Sequence, residues 1–278
     1  MVYLVLAMAS SMAVSVIMRL SERHVKNDVS MLALNYLMCA LLAGAYMGPS
    51  GAMSGIAGLG FAVGLGAVNG ALYLGSFLLL QWNIRENGVV LPATFMKLGV
   101  LVPAVMAIAV FHEMPSLLQA IGFLAAIVAI VMIRFERGEG KAKSALGLVL
   151  LLLGGGATDA TSKVYEELGE PLLKNGFLLC TFVVALALCA ILCAVRRQGL
   201  TPADAAFGLL IGVPNYFSAR FLLLALSSVP AVVAYPMYST GTIALVTLIG
   251  VACFGERLTR RQTVAMGIIL AALVLLNL

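Results

Sequence analysis

Three ionisable side chains lie inside long apolar stretches of this sequence. Lys97 lies in the run from Val89 to Phe111, and Asp159 and Arg220 lie in two later runs. An ammonium or guanidinium there can bind a carboxylate or phosphate, and a carboxylate can bind a cation or carry a proton. Because an ionised group at bilayer depth costs about 2.5–3.5 kcal/mol, we expect each to face a cavity or a partner.

Lys97 stands near the middle of its run, too far from either end for its ammonium to reach water easily. We predict that it faces a substrate, where it binds a carboxylate or phosphate or takes part in proton coupling. The alternative is a structural lysine bound to backbone carbonyls that Pro92 or Pro103 leaves without donors. The functional interpretation predicts that Lys97→Met abolishes anion binding and leaves the fold intact.

Asp159 and Arg220 are predicted to lie at the same depth. Each stands about fifteen residues into its helix, roughly 22 Å from the helix start. Opposite charges at one depth in two helices suggest a pair. The pair is either a static bridge between helices or a functional one. A functional pair is a gate that closes the outer side, or a carboxylate whose protonation frees Arg220 for an anion.

Uncharged polar and small residues in the same runs complete the candidate site. Gly154–Gly156 indicates either an unwound stretch that exposes its backbone or close helix packing, and Gly66, Gly70 and Gly75 favour close packing. The side chains expected to orient a substrate by hydrogen bonds are Asn69, Tyr73, Asn215, Tyr216, Tyr235 and Tyr238.

The elements that position these residues are membrane helices. The chain is 62% hydrophobic and 10% charged, with a mean hydropathy of +1.08, far more apolar than a soluble domain. A span needs about 20 apolar residues. The sequence predicts an all-α integral membrane protein with ten spans: 2–20, 29–47, 57–80, 88–111, 115–134, 145–165, 171–195, 204–226, 230–253 and 260–277.

Basic residues orient the ten spans. Of the 17 Lys and Arg residues, Lys163 and Lys174 lie at even-numbered connections, and Lys97 and Arg220 lie within spans. Odd-numbered connections and their helix ends hold the other thirteen: Arg19, Arg23, Lys26, Arg85, Arg134, Arg137, Lys141, Lys143, Arg196, Arg197, Arg257, Arg260 and Arg261. The positive-inside rule therefore places these connections in the cytoplasm, and both termini outside a plasma (inner) membrane.

The second half of the chain repeats the first. The matched pairs share charge or proline: Arg19 with Lys163, Glu22 with Glu166 and Pro92 with Pro236 at a shift of 144, and Glu113 with Glu256 at a shift of 143. Five spans per copy place the second copy upside down in the membrane. We predict two inverted five-helix repeats, 1–137 and 138–278, with the substrate site between them.

A family resemblance rests on the segments that close each half, "FHEMPSLLQAIGFLAAIVAIVMI" and "FGERLTRRQTVAMGIILAALVLL". They are similar to the Glu-containing loop and following helix of EamA-type proteins of the drug/metabolite transporter superfamily. The resemblance covers the whole chain. It implies a transporter whose first, third, fourth, sixth, eighth and ninth helices surround a central cavity. Such proteins commonly have cytoplasmic termini, whereas the charge bias here places them outside.

Charged residues at span ends are expected to have structural roles. Glu113 and Glu256 are expected to cap helices and anchor loops, because water is near. Arg19 and Lys163 are expected to extend their side chains to the interface.

The predicted substrate is a small anionic or zwitterionic metabolite, such as an amino acid, a carboxylate or a phosphate ester. Small multidrug resistance proteins, which export cations, carry a membrane-embedded Glu eight residues before a Lys in a stretch similar to "IMRLSER". Ser11 and Gly155 occupy that place here. With Lys97 and Arg220 against Asp159, the site is expected to be net positive and to repel organic cations.

We therefore predict a secondary transporter that works by alternating access, with a proton or counter-substrate as its partner, as a monomer or homodimer. The alternatives are a proton-coupled exporter of organic cations or drugs and a non-transporting assembly or receptor protein. The sequence has no HExxH, GxSxG or ATP-binding motif, and its five cysteines have no CxxC spacing. We predict no enzyme activity, cofactor, metal site or nucleic-acid partner.

Overall fold

The structure is a computed structural model that describes residues 1–47, 58–87, 90–134, 144–254 and 259–278. Within these ranges the chain is helical, with no strand. One short 3₁₀ turn, Pro171–Leu173, precedes α8. The helices are α1 (Val2–Ser21), α2 (Asp28–Met47), α3 (Leu59–Asn87), α4 (Val90–Leu98), α5 (Leu101–Ala109), α6 (Leu117–Arg134), α7 (Ala145–Leu168), α8 (Lys174–Val195), α9 (Pro202–Leu226), α10 (Ala231–Phe254) and α11 (Arg260–Leu276).

Each of the ten predicted spans coincides with a helical segment, and the fourth is divided into α4 and α5. Among the described residues, seven helices are long and apolar enough to cross a membrane, and two apolar stretches, Phe95–Ala109 and Leu117–Met132, are shorter. Large apolar side chains also cover the outer surface, for example Leu124 and Val274. The chain is therefore an all-helical, multi-pass membrane protein.

The fourth span breaks at Gly99 and Val100. Pro103 has no N–H, so it cannot bond the carbonyl of Gly99, and its ring would clash with that carbonyl in a regular helix. The Val102 N–H bonds this carbonyl instead, at 2.9 Å, and the Gly99 N–H bonds the carbonyls of Phe95 and Met96. The break places Lys97 in the last turn of α4.

Helix α3 runs seven residues beyond its predicted end because its last two turns contact the start of α7. The Asn83 side chain donates to the Gly147 carbonyl at 2.9 Å, and the backbone N–H of Ser144 donates to the Asn87 side chain at 3.0 Å. The Ser144 hydroxyl in turn accepts the Gly147 N–H and caps α7.

Small residues let the helices of the two halves approach closely. A Cβ on Gly66 or Gly70 of α3 would lie 2.8 or 2.5 Å from backbone oxygens of α8. The same holds for Gly208 and Gly212 of α9, which face backbone oxygens of α2 at 2.4 and 2.7 Å. The close packing expected for the third span is confirmed at Gly66 and Gly70, whereas Gly75 meets open space.

Hydrogen bonds fix the two ends of the bundle. The Asp204 carboxylate accepts the backbone N–H of Lys26 at 2.9 Å and closes a capping box with Thr201. We call the end with the 22–27 and 196–201 connections the basic end. The end with the 110–116, 169–173 and 227–230 connections is the opposite end.

Candidate functional site

A cavity of about 450 Å³ lies between the two halves of the chain. Its walls come from α1, α2, α3, α4, α7, α9 and α10, with Val100 of the α4–α5 break. These are the six spans that the family resemblance implied, and also the second span. The site therefore forms between helices that are distant in the sequence.

Two opposite charges line this cavity from different helices. Lys97 lies at the end of α4, and Asp159 lies in the middle of α7. Both are half-buried, and they interact electrostatically. They are the charged residues among the described lining, so the cavity carries one positive and one negative group.

The packing of α4 against α7 positions this pair. A Cβ on Gly99 would lie 2.9 Å from the Gly156 nitrogen, and Gly155 faces Met96 across the same contact. Helix α7 is continuous through its three glycines. Close packing is therefore the role of Gly156, and the alternative of an unwound stretch is wrong.

Four of the predicted hydrogen-bonding residues line the cavity: Tyr73, Asn215, Tyr235 and Tyr238. The Tyr235 hydroxyl donates to the backbone carbonyl of Asp159 at 2.6 Å, which ties α10 to α7. The hydroxyls of Tyr238 and Ser218 are bonded at 2.8 Å, which ties α10 to α9. These tyrosines join α10 to the helices on either side of it in the cavity wall.

Asn69, Tyr216 and Arg220 are not among the lining residues. Asn69 is buried one turn from Tyr73, on the side toward the opposite end, and its side-chain oxygen has no hydrogen bond within the described part of the chain. Tyr216 is fully buried in an aromatic core with Phe182.

Arg220 pairs with aromatic rings. Its guanidinium lies 4.1 Å from the Tyr46 ring centroid and donates to the Tyr216 hydroxyl at 2.8 Å. Five residues separate it from Asn215, a rotation of about 140° from the cavity-facing side of α9. The predicted pairing of Arg220 with Asp159 is therefore wrong, and the charged neighbour of Asp159 in the cavity is Lys97.

The cavity also contains polar residues that the sequence analysis missed. The Ser76 hydroxyl lines the cavity, is buried, and has no hydrogen-bond partner within the described ranges. Asn35 accepts the side-chain N–H of Asn215 at 3.2 Å. Both lie in apolar helices, and Ser76 follows Tyr73 by three residues, a helical spacing that could have indicated it.

The cavity reaches toward the basic end. Its lining on α1 is Val14 and Met18, in the second half of that helix, and on α3 it extends to Leu80. Met18 is 42% exposed. On α10 the lining stops at Tyr235, one turn from the opposite end. The lining therefore runs from about one turn short of the opposite end, on α10, toward the basic end, on α1 and α3.

A charged cluster lies at the opposite end. Lys163 is 1% exposed, and its ammonium contacts Glu113 at 2.6 Å, Glu166 at 3.8 Å and also Glu167. The prediction that Lys163 extends to the interface is wrong, because three carboxylates satisfy its charge within the protein. The structure places Arg19, its counterpart in the repeat register, at an exposed position.

Glu113 also caps a helix, as predicted. Its second carboxylate oxygen accepts the backbone N–H of Val232 at 3.1 Å, in the first turn of α10. His112 has a φ of 55°, and this left-handed residue turns the chain so that the Glu113 N–H reaches the Ala107 carbonyl at 3.0 Å. Glu256 lies outside the described residues.

Comparisons with known proteins support a transporter. Residues 177–269, from α8 into α11, match the family model described as Small Multidrug Resistance protein. An uncharacterized protein of Haemophilus influenzae is 25% identical over 198 residues, which are 69% of this chain and 67% of that protein. The matched family is not the EamA-type family, so the EamA-type assignment remains a prediction.

The fold itself has a solved counterpart. One crystal structure superimposes on 99% of this chain and 94% of its own chain, with a TM-score of 0.76 and 13% identity. At that identity the likeness shows the fold alone.

Proposed function

We propose that this protein is a secondary transporter of a small zwitterionic metabolite, an amino acid or a compound like one. The observation that carries the proposal is the pair Lys97 and Asp159 in one cavity. A carboxylate on the substrate would bind the Lys97 ammonium, and its ammonium would bind the Asp159 carboxylate. Charge-assisted hydrogen bonds of this kind are the strong ones in proteins.

The position of Arg220 favours a zwitterionic substrate over an anionic one. With Arg220 in the cavity, the site was expected to be net positive and to favour anions. With Arg220 packed on Tyr46, one cation and one anion remain among the described lining residues. A site with one charge of each sign is complementary to a molecule that also carries one of each.

The predicted inverted repeat supports alternating access as the mechanism. The contacts between helices follow this repeat. If each span is replaced by the equivalent span of the other half, five spans away, one observed contact becomes another observed contact. Thus α1 packs on α9 as α7 packs on α3, α2 packs on α9 as α8 packs on α3, and α6 packs on α11. The glycine pairs of α3 and α9 occupy equivalent contacts in this scheme. We propose that the two halves rock around the cavity.

The proposed orientation follows the basic connections. The positive-inside rule assigns the basic end to the cytoplasm and both termini to the outside of a plasma (inner) membrane. We propose that the cavity opens at this end, along the lining of α1 and α3, and therefore to the cytoplasm. Proton or counter-substrate exchange would drive the cycle.

Export of an organic cation is the second candidate function. The small multidrug resistance match favours it, since proteins of that family export cations. Gly155 lines the cavity at the place where the resemblance sets their membrane-embedded Glu, and Asp159 lies one turn further on the same wall. In this alternative Asp159 binds the cation and Lys97 acts as an internal counter-charge.

The test is thermal unfolding of the purified protein in detergent with amino acids, carboxylates, phosphate esters and organic cations at two pH values. A ligand at 100 times its Kd stabilises the folded state by about 2.7 kcal/mol. We expect stabilisation by zwitterions that Lys97→Met removes. Lys26→Met is the matched control, because the Lys26 side chain is exposed in a connection at the basic end. Stabilisation by organic cations alone would favour the second candidate.

A further inference from the structure

The Lys163 cluster connects the proposed repeats at the opposite end of the bundle. Glu113 belongs to the first half, whereas Lys163 and Glu167 lie on α7 of the second half. Glu113 also caps α10, another helix of the second half, through Val232. One carboxylate of the first half thus holds two helices of the second.

The same two helices carry the candidate substrate site. On α7, Lys163 follows Asp159 by four residues, one helical turn. On α10, Val232 precedes Tyr235 by three residues, and the Tyr235 hydroxyl bonds the Asp159 carbonyl. A shift of α7 or α10 at the substrate site therefore reaches the cluster within one turn.

Lys163 is more deeply buried than the residue that matches it in the repeat register. Lys163 is 1% exposed, whereas Arg19, which occupies the matching place in the repeat register, is exposed. A buried ammonium is stable only with carboxylate partners, and removing one partner of a buried pair is strongly destabilising. Lys163 keeps Glu166 and Glu167 of its own helix when it leaves Glu113, so the contact between the two halves can separate while the ammonium stays paired.

We propose that the Lys163 cluster is the gate that closes the opposite end of the cavity. The ion pair of Lys163 with Glu113 forms when that end closes and separates when it opens. The inference rests on the proposed function, because a gate has meaning only if the cavity opens to alternate sides. Binding at Asp159 would act on the gate through the shared turns of α7 and α10.

Hydrogen–deuterium exchange of the whole protein in lipid nanodiscs, without any ligand, tests the gate. In Lys163→Met we expect about tenfold faster exchange around 107–116, 160–168 and 229–235, as the opposite end opens. We also expect slower exchange around 14–20 and 76–82, because the basic end closes when the other opens. Lys163→Arg keeps the charge and is expected to exchange like the wild type.

Three results would overturn the proposal. Faster exchange at the opposite end with no change at the basic end means that the cluster is a static clasp. Unchanged exchange at both ends means that it does not hold the end closed. Slower exchange at the basic end that also appears in Lys163→Arg means that the charge is irrelevant.

A second variant covers the case in which Lys163→Met does not fold. Glu113→Gln removes the charge and keeps a side-chain oxygen for the Val232 N–H, so it is expected to change both ends in the same direction by a smaller factor. Unchanged exchange in Glu113→Gln overturns the gate. Because no ligand is added, this outcome is distinguishable from failure of the zwitterion proposal, which is decided by Lys97→Met binding.

Discussion

The carbonyl oxygen of Gly99 lies against the backbone of Gly156, so that a Cβ on Gly156 would be 2.4 Å from it. This contact joins the break in the fourth span to α7. It sets the distance between the helix that carries Lys97 and the helix that carries Asp159. The charge pair of the cavity therefore depends on two residues that have no side chain.

The Gly156→Ala variant tests this dependence. The new methyl group would also meet Val102 of α5 at 2.5 Å, so α7 must move away from the break and the start of α5. We expect a loss of about 1–3 kcal/mol in the free energy of unfolding and weaker substrate binding. Thermal unfolding measures the first effect. Gly64→Ala is the control, because nothing lies within 4 Å of a Cβ there, and equal losses in both variants would contradict the account.

The Lys97→Met variant is expected to change substrate affinity in opposite directions under the two candidate functions. If the substrate is a zwitterion, the variant loses a charged hydrogen bond of about 1.5–3 kcal/mol, roughly a tenfold to hundredfold rise in Kd. If the substrate is an organic cation, removing a positive neighbour of Asp159 is expected to strengthen binding. Calorimetric titration of wild type and variant measures the change, and tighter binding in the variant would contradict the zwitterion proposal.

Ser76→Ala is expected to have opposite effects on the free and the bound protein. The hydroxyl is buried without a partner among the described residues, so its loss is expected to leave the ligand-free unfolding temperature unchanged or slightly raised. If the hydroxyl binds substrate, the variant loses a hydrogen bond of about 0.5–1.5 kcal/mol, and the Kd rises roughly twofold to tenfold. A lower unfolding temperature without ligand would mean that Ser76 supports the fold instead.

Arg220→Met is expected to reduce stability and leave substrate affinity unchanged. The guanidinium stacks on Tyr46 and bonds the Tyr216 hydroxyl, and cation–π contacts are worth about 0.5–2 kcal/mol. Unfolding with and without ligand gives both quantities in one experiment. A large loss of affinity at unchanged stability would return Arg220 to the substrate site.

The helices were predictable because each span is an apolar run, and hydropathy alone locates such runs. Lys97 and Asp159 were predictable for a related reason, since a charge inside an apolar run needs a cavity. The break after Lys97 was missed, although Pro103 was visible, because a proline can be accommodated in a membrane helix without dividing it.

The partners of the charges were not predictable, because depth in the membrane leaves rotation about the helix axis undetermined. Asp159 and Arg220 are predicted at one depth, yet Arg220 faces Tyr46. The burial of Lys163 depends on Glu113, fifty residues away in the sequence, and only folding brings the two to 2.6 Å.

The most direct test of the central claim compares three matched probes in calorimetric titrations of the wild-type protein. For each amino acid of a panel, the second probe is the amine that lacks the carboxylate, and the third is the carboxylic acid that lacks the amine. The account predicts that at least one amino acid binds and that both of its single-charge analogues bind at least tenfold more weakly. Equal or tighter binding of the amine would contradict it and assign the cavity to organic cations.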